Sequence, residues 1–310
     1  MGDATGIASA VSEQKRGAGL ADFFIRLWTE KPLGTACGMV VLLLIMVGIF
    51  ADVLAPYPYD KIHLVDRLQG SSARYLLGTD QAGRDLLSRL IFGARISLLV
   101  GLAATTLNVV VSTLIGGISG FRGGKLDLVM QRFVDAWICF PGLLLLLTIM
   151  SLVGQGLLQI ILVLGISGGI GGSRIMRGAV IGLKENDYFQ AARAVGTPTG
   201  QILTRHVLPN IMAPIIIVFS INVGGVIISA ASLSFLGFGL PSGIPDWGGM
   251  LSREGREYME MAPRLALWPG LCLTITVYSL NMFGDAVRDL LDPRLRGGGG
   301  RLAGSAAPSV

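Results

Sequence analysis

Residues 136–173 read AWICFPGLLLLLTIMSLVGQGLLQIILVLGISGGIGGS, a run of 38 residues without Asp, Glu, Lys or Arg. A helix needs about 20 apolar residues to cross roughly 30 Å of hydrocarbon, so this stretch is long enough for two membrane spans. Gly154-Gln155-Gly156 interrupts it near its middle, and such a cluster is typical of a turn. The sequence therefore predicts two membrane helices here, joined by a tight turn.

Four further long uncharged stretches predict the remaining spans. They cover residues 32–51, 96–121, 207–245 and 265–284. The stretch at 207–245 allows two interpretations: two spans, or one span from about 208 to 234 followed by a Gly- and Pro-rich loop at 236–243. The one-span interpretation gives six membrane helices in total, and the other gives seven.

The distribution of charge favours six spans with both termini in the cytoplasm, because Lys and Arg accumulate in cytoplasmic loops. With six spans, the inside segments hold 16 of the 25 Lys and Arg residues and 11 of the 20 acidic residues. That excess of five basic residues equals the whole net charge of +5. A seventh span would move Arg288, Arg294, Arg296 and Arg301 to the outside, against this bias.

The composition excludes an ordinary soluble enzyme. Hydrophobic residues make up 52% of the 310 residues and charged residues 15%, against about 25% charged in soluble domains. The mean hydropathy is +0.65. Basic residues are scattered instead of forming a run, which argues against nucleic acid as a partner. We therefore expect an all-α membrane protein with six transmembrane helices and contacts with lipid.

The spans and charges together predict five parts of the chain. They are a cytoplasmic N-terminal segment at 1–31, a first transmembrane helix at 32–54, an external loop with an amphipathic helix at 55–95, a core of five transmembrane helices at 96–296 with a cytoplasmic loop at 174–206, and a disordered tail at 297–310. Aromatic residues near the span ends, Trp247 among them, predict an interfacial belt.

The cytoplasmic loop has the pattern of a helix, a glycine and a second helix. Asn186 or Asp187 is a suitable cap for a short helix at 188–195, and Gly196 follows at the position that favours left-handed backbone. Thr197 and Pro198 then predict the start of a second helix. We call residues 186–210 the elbow. An amphipathic connector lying on the membrane explains the same periodicity equally well.

The elbow carries a family resemblance. QAARAVG at 190–196, nine further residues and HVLPN at 206–210 resemble the EAA loop in the membrane subunits of bacterial ATP-binding-cassette (ABC) importers. The sequence departs at Gln190, where the motif has Glu, and this removes a charge available for an ion pair with the ATPase. The resemblance implies that the loop docks on an ATPase subunit, through residues Tyr188, Gln190, Ala191, Ala192, Gly196, His206, Leu208 and Pro209.

Other segments narrow the resemblance. LGTDQAGRDLLSRLIFGARISL at 77–98, LSFLG at 233–237, PDWG at 245–248 and LDPRLR at 291–296 are similar to the second permease subunit of dipeptide and oligopeptide importers. This similarity extends over residues 30–296 and implies a type I importer permease fold in the bacterial cytoplasmic membrane.

The resemblance also implies partners. They are a second homologous permease in a heterodimer, two ABC ATPase subunits that bind ATP and Mg²⁺, an extracytoplasmic substrate-binding protein and a peptide substrate. Relatives of this kind carry dipeptides, oligopeptides, nickel or glutathione, and the sequence does not separate these substrates. ATP-driven alternating access, transmitted through the elbow, is the mechanism that the resemblance implies.

The chain carries no sequence motif for chemistry of its own. Residues 119–126, SGFRGGKL, lack the first Gly and the final hydroxyl of a phosphate-binding loop. Three dispersed Cys residues, expected to be buried, and two His residues offer no metal-ligand spacing. Two alternatives stay open: an intramembrane hydrolase using Ser167 of the GISGG segment at 165–169, and a proton-coupled carrier, for which the spans lack acidic residues. For that segment, small residues for helix packing are the favoured explanation.

Overall fold

A computed structural model describes residues 20–291. The LDPRLR segment and the predicted tail at 297–310 therefore lie outside the described residues, apart from Leu291. Within 20–291 the long elements are all helices: α1 (Leu20–Glu30), α2 (Pro32–Ile49), α3 (Leu86–Arg122), α4 (Gly124–Cys139), α5 (Gly142–Val153), α6 (Leu157–Lys184), α7 (Asp187–Ala194), α8 (Met212–Phe235) and α9 (Arg264–Leu291). Shorter helical turns lie at Ala51–Leu54, Leu64–Asp66, Thr199–Ile202, Leu203–Val207, Leu208–Asn210, Trp247–Met250 and Leu251–Gly255.

Five of these helices are long and apolar enough to cross a membrane: α2, α3, α6, α8 and α9. The pair α4 and α5 makes a sixth span if its two helices are taken together. Helix α8 ends at Phe235 and a loop follows, which is the one-span interpretation of residues 207–245. The predicted turn between α5 and α6 is present, with φ of +90° at Gly154 and +159° at Gly156.

The third span differs from the sequence prediction because it is bent by 93°. The bend lies at Pro141, and Phe140 before it has extended backbone with φ −78° and ψ 139°. Steric conflict with a following proline disfavours helical backbone, so the helix ends there. Helix α5 has only 12 residues, which is about 18 Å of helix and too short to cross the membrane alone.

Helix α3 begins earlier than its uncharged stretch suggests. It starts at Leu86, inside the range predicted as an external loop, and runs for 37 residues without a break. Asp85 caps it, because its carboxylate accepts hydrogen bonds from the Ser88 amide and hydroxyl at 2.8 and 2.7 Å. The residues just before the second uncharged stretch therefore form the first turns of α3.

Helices α3 and α6 pack closely along their lengths, and glycines allow it. A Cβ on Gly116 would lie 2.2 Å from the Ser173 carbonyl oxygen, and one on Gly169 would lie 2.5 Å from Val111 Cβ. Small residues let two backbones approach in this way. The packing explanation for the glycines of the GISGG segment is thus confirmed.

The two ends of the helical bundle can be told apart by contacts. Lys31, before α2, lies 2.5 Å from the Asp289 carboxylate near the end of α9. The end of α2 packs instead against the beginning of α3, where Arg95 donates to the Gly48 carbonyl at 2.7 Å. The start of α2 and the end of α9 therefore lie at the same end of the bundle.

Two smaller expectations were wrong. Trp247 is 1% exposed and its indole donates to the Leu90 carbonyl at 3.2 Å, so it is a core residue and not part of an interfacial belt. Cys139, expected to be buried, is exposed at the end of α4. The apolar periodicity around both residues does not distinguish a side chain that packs against protein from one that faces outward.

Candidate functional sites

The elbow is anchored to the bundle through one aromatic side chain. Phe189 of α7 is 1% exposed and packs in a cluster with Val180 and Val207. Its ring meets Phe121 at the end of α3 edge-on, with 6.1 Å between ring centroids. Lys184 supports the same place, because its ammonium donates to the Gly120 and Phe121 carbonyls at 3.1 Å each. Helix α7 is therefore packed directly against the ends of α3 and α6.

Gly196 makes the turn that the sequence predicts. Its φ is +78°, a region that only glycine adopts without strain. The Thr197 amide donates to the Ala192 carbonyl at 3.1 Å, which is the long hydrogen bond of a Schellman motif at the end of α7. The helix, the glycine and the change of direction are all confirmed.

The second half of the elbow differs in detail from its prediction. Pro198 stands at the cap position before Thr199–Ile202, and no side chain caps this helix, so Thr197 is not the cap. A π-helical turn at Leu203–Val207 and a short turn at Leu208–Asn210 continue toward α8. The Asn186 side chain likewise donates to the Leu183 carbonyl at 3.3 Å instead of capping α7.

Most of the predicted docking residues lie on one exposed segment. Tyr188, Gln190, Ala191, Gly196, Leu208 and Pro209 are exposed, whereas Ala192 and His206 are half-buried. The Tyr188 and His206 rings lie 6.3 Å apart, so the two halves of the elbow meet. Val195, which the sequence analysis did not select, is 85% exposed at the tip. No sequence signal indicated that Val195 is exposed, apart from its position within the motif at 190–196.

A buried cluster of charges lies outside the elbow, where the segment before α3 meets the segment after α8. The Glu254 carboxylate accepts from Arg84 at 2.9 Å and from Arg89 at 2.8 Å. Asp80 lies 2.6 Å from Arg84 and 3.4 Å from Arg89. The four formal charges cancel. Because the partners are 165 and 170 residues apart in the chain, sequence patterns could not pair them.

Burial dominates the electrostatics of this cluster. Glu254 is 2% exposed, and its burial raises the pKa of its carboxyl, a shift that Arg89 and Arg84 oppose. Burial likewise raises the pKa of Asp246 nearby, which Arg253 opposes. The cluster therefore ties two segments together, and Arg89 within it is 2% exposed.

A cleft of about 460 Å³ opens between α3, α6, α8 and the bend of α4 and α5. Ser167 lines it, together with the polar side chains of Asn108, Asn222 and Ser229. Neither histidine lines this cleft: His63 precedes Leu64–Asp66 and His206 lies in the elbow. A serine nucleophile needs a base within hydrogen-bond reach, and none of the side chains around the cleft supplies one.

Comparison with known proteins identifies the chain. The sequence model described as "Binding-protein-dependent transport system inner membrane component" matches residues 112–297. The "Glutathione transport system permease protein GsiD" of Pectobacterium atrosepticum is 37% identical over 274 residues, covering 88% of this chain and 91% of that protein. The chain belongs to this family of transport components. It is therefore an inner-membrane permease subunit of an ABC importer, of the kind that the sequence segments resemble.

Two further comparisons agree with this permease assignment. The "Dipeptide transport system permease protein DppC" of Alkalihalophilus pseudofirmus is 38% identical over 252 residues, covering 81% of this chain and 83% of that one. A solved structure titled "Inward facing conformations of the MetNI methionine ABC transporter" contains a chain with the same fold, with a TM-score of 0.53 at 18% identity. It covers 66% of this permease and 96% of that chain. The all-helical, type I importer permease fold is confirmed.

Proposed function

We propose that this permease forms one half of the pore of an importer for short peptides. Two of its relatives are named for glutathione and for dipeptides, and both solutes are short peptides. The second half is a homologous permease, and an extracytoplasmic binding protein delivers the substrate. Two ABC ATPases bind ATP and Mg²⁺ and drive alternating access. No reaction on the substrate is proposed, because the chain translocates and does not transform it.

The observation that carries the coupling proposal is the form of the elbow. Small side chains at Ala191 and Ala194, which are both exposed, leave room on the outer face of α7 for the backbone of another protein to come close. Phe189 on the opposite face is buried against the ends of α3 and α6. Helix α7 is packed against the bundle on one face and exposed on the other. A partner that moves the exposed face would therefore move α7 and the helix ends beneath it together. This arrangement supports docking of the elbow on an ATPase subunit through the residues that the motif assigns.

The charge distribution supports an orientation with both termini in the cytoplasm. The start of α2 and the end of α9 lie at one end of the bundle, joined by Lys31 and Asp289. An even number of spans places both termini on the same side of the membrane. The excess of basic residues favours the cytoplasmic side for that end of the bundle. The elbow then faces the cytoplasm, where ATP is available, and the segment with the buried charge cluster faces the outside.

Replacement of Gly196 tests the coupling. In Gly196→Val a β-branched residue would have to hold φ near +78°, which costs about 1–2 kcal/mol. We expect the complete importer in proteoliposomes to keep ATP hydrolysis and lose most of its peptide uptake. Gly182→Val is the matched control: Gly182 is exposed near the end of α6, has regular helical backbone, and has open space where a side chain would go. Full peptide uptake by Gly196→Val would contradict a role for this turn in coupling ATP hydrolysis to transport.

Crosslinking tests the docking surface directly. A photo-activatable amino acid at Ala191 should crosslink to the ATPase subunit in native membranes. The same amino acid at Ile62, which is 59% exposed in the segment between α2 and α3, is the control for the opposite end. Crosslinks to the ATPase from Ile62 and none from Ala191 would show that the orientation is the opposite of the proposed one.

A further inference from the structure

The cleft between α3, α6, α8 and the bend contains hydrogen-bonding groups and no charge. Its polar side chains are Asn108, Ser167, Asn222 and Ser229, and the other residues around it are apolar, aromatic or glycine. On α8, Asn222, Gly225 and Ser229 follow one another at helical spacing and form one face. Asn222 and Ser229 donate to the Val218 and Gly225 carbonyls of the same helix at 2.8 and 2.9 Å, and their oxygens stay available as acceptors for a polar solute or for water.

Asn108 brings a buried side-chain oxygen without a hydrogen-bond partner to the wall of the cleft. It is 6% exposed, and its side-chain oxygen Oδ1 accepts no hydrogen bond from the described residues. An amide oxygen left unpaired in an apolar surrounding destabilises a protein by roughly 1–3 kcal/mol, so a buried group of this kind calls for a partner such as water or a ligand.

The neighbouring helix makes room for this amide. A Cβ on Gly168 would lie 2.3 Å from Asn108 Nδ2, and one on Gly172 would lie 3.6 Å from Oδ1. Any larger residue at Gly168 would move the Asn108 amide. The glycines of α6 therefore pack against α3 and also set the direction of the buried Asn108 amide.

The polar face continues along α6 toward the elbow. One turn beyond Gly171 lies Arg174, followed by Arg177, and both line a second cleft of about 410 Å³ against α4. There Arg177 pairs with Asp127 at 2.6 Å, and Arg174 pairs with Asp135. Helix α6 thus contributes residues both to an uncharged cleft and to a cleft lined by paired charges.

We infer that the uncharged cleft is a binding site for the peptide on its way through the pore, and that Asn108 contacts the peptide main chain. A peptide bond has one N–H donor and one C=O acceptor, and the Asn amide is complementary to both. Without a charge on its wall, the cleft takes the uncharged middle of a peptide and not its charged ends. Trp137 and Phe140 at the bend provide an apolar surface for peptide side chains. This inference rests on the proposed function.

An isosteric substitution tests the role of Asn108. Asn108→Leu keeps the branched shape and the number of side-chain heavy atoms and removes the hydrogen bond, so we expect peptide uptake in proteoliposomes to fall about 3- to 10-fold. The concentration for half-maximal uptake should stay unchanged, because the binding protein sets it. Thr106→Val is the control: Thr106 lies on the same helix, is exposed and bonds only to the Leu102 carbonyl among the described residues. Unchanged uptake by Asn108→Leu would overturn the inference.

Thiol labelling gives an independent answer if Asn108→Leu does not assemble. With the three native Cys residues replaced by Ala, Ser167→Cys in the complete importer should react with a charged, membrane-impermeant thiol reagent, and substrate should slow the reaction. Ser112→Cys, fully buried between α3 and α6, should not react. An importer that transports peptide while Ser167→Cys stays unreactive would show that a helix of the partner permease or lipid fills the cleft. An importer that takes up no peptide at all would instead refute the proposed function.

Discussion

Removal of the Glu254 carboxylate should open the contact between the segment before α3 and the segment after α8. In Glu254→Ala the guanidinium groups of Arg84 and Arg89 lose acceptors at 2.9 and 2.8 Å, and one buried positive charge stays uncompensated. Breaking a buried ion pair by removing one partner costs about 3–5 kcal/mol. Because 1.36 kcal/mol corresponds to a factor of ten, local opening should become roughly 10²- to 10⁴-fold more frequent.

Amide hydrogen exchange measures this opening locally. The amides of Ala82 and Arg84 donate to Asp80 at 2.8 and 2.9 Å, within the turn that the cluster holds in place, and their protection should fall by that factor. Glu257→Ala removes an exposed acid three residues away and should leave the protection unchanged.

A double variant separates charge from shape. In Arg89→Met with Glu254→Leu, one positive and one negative charge leave together, and the pair of Arg84 and Asp80 stays neutral. We expect the amide protection of this double variant to be closer to that of the original protein than the protection of Glu254→Ala is, because apolar replacement of a buried pair is often tolerated. Protection unchanged in Glu254→Ala, or additive losses in the double variant, would refute the reasoning.

Two further predictions concern packing. Gly116→Val would place a side chain 2.2 Å from the Ser173 carbonyl oxygen and force α3 and α6 apart, so the yield of monodisperse protein in size-exclusion chromatography should collapse, whereas Gly117→Val, with open space at that position, should not change it. Trp247→Ala should destabilise the subunit by about 3–5 kcal/mol, since Trp247 is buried and bonded to the Leu90 carbonyl. Thermal aggregation in detergent checks this against Trp28→Ala, a 63% exposed control, and equal midpoints would contradict it.

The elbow shows how far local sequence signals reach. Helix α7, the left-handed Gly196 and the change of direction follow from residues within one or two turns of each other, because capping and backbone strain are local effects. Local sequence signals could not predict which face of α7 is buried. Phe189 and Tyr188 are adjacent aromatic residues, and only the ends of α3 and α6 decide which of them is buried.

The cleft shows the opposite case. Asn108 stands in an apolar stretch, and Ser167 drew attention through a catalytic pattern that has no base beside it. Both side chains line the uncharged cleft because the bend at Pro141 and the glycines of α6 bring the surrounding helices together around it. The proline predicts a break, but its 93° angle depends on what the two helices pack against.

The amino-acid sequence by itself determined the number and approximate positions of the spans, the turn between α5 and α6, the form of the elbow and the membership of the family. These depend on hydrophobic length, on charge bias and on caps, which act within about 20 residues of the chain. Tertiary structure alone decided the bent third span, the cluster of Asp80, Arg84, Arg89 and Glu254, and the uncharged cleft. Hydrogen bonds and ion pairs between residues 165 or more positions apart form only after the helices have packed, because packing sets which side chains share a buried space.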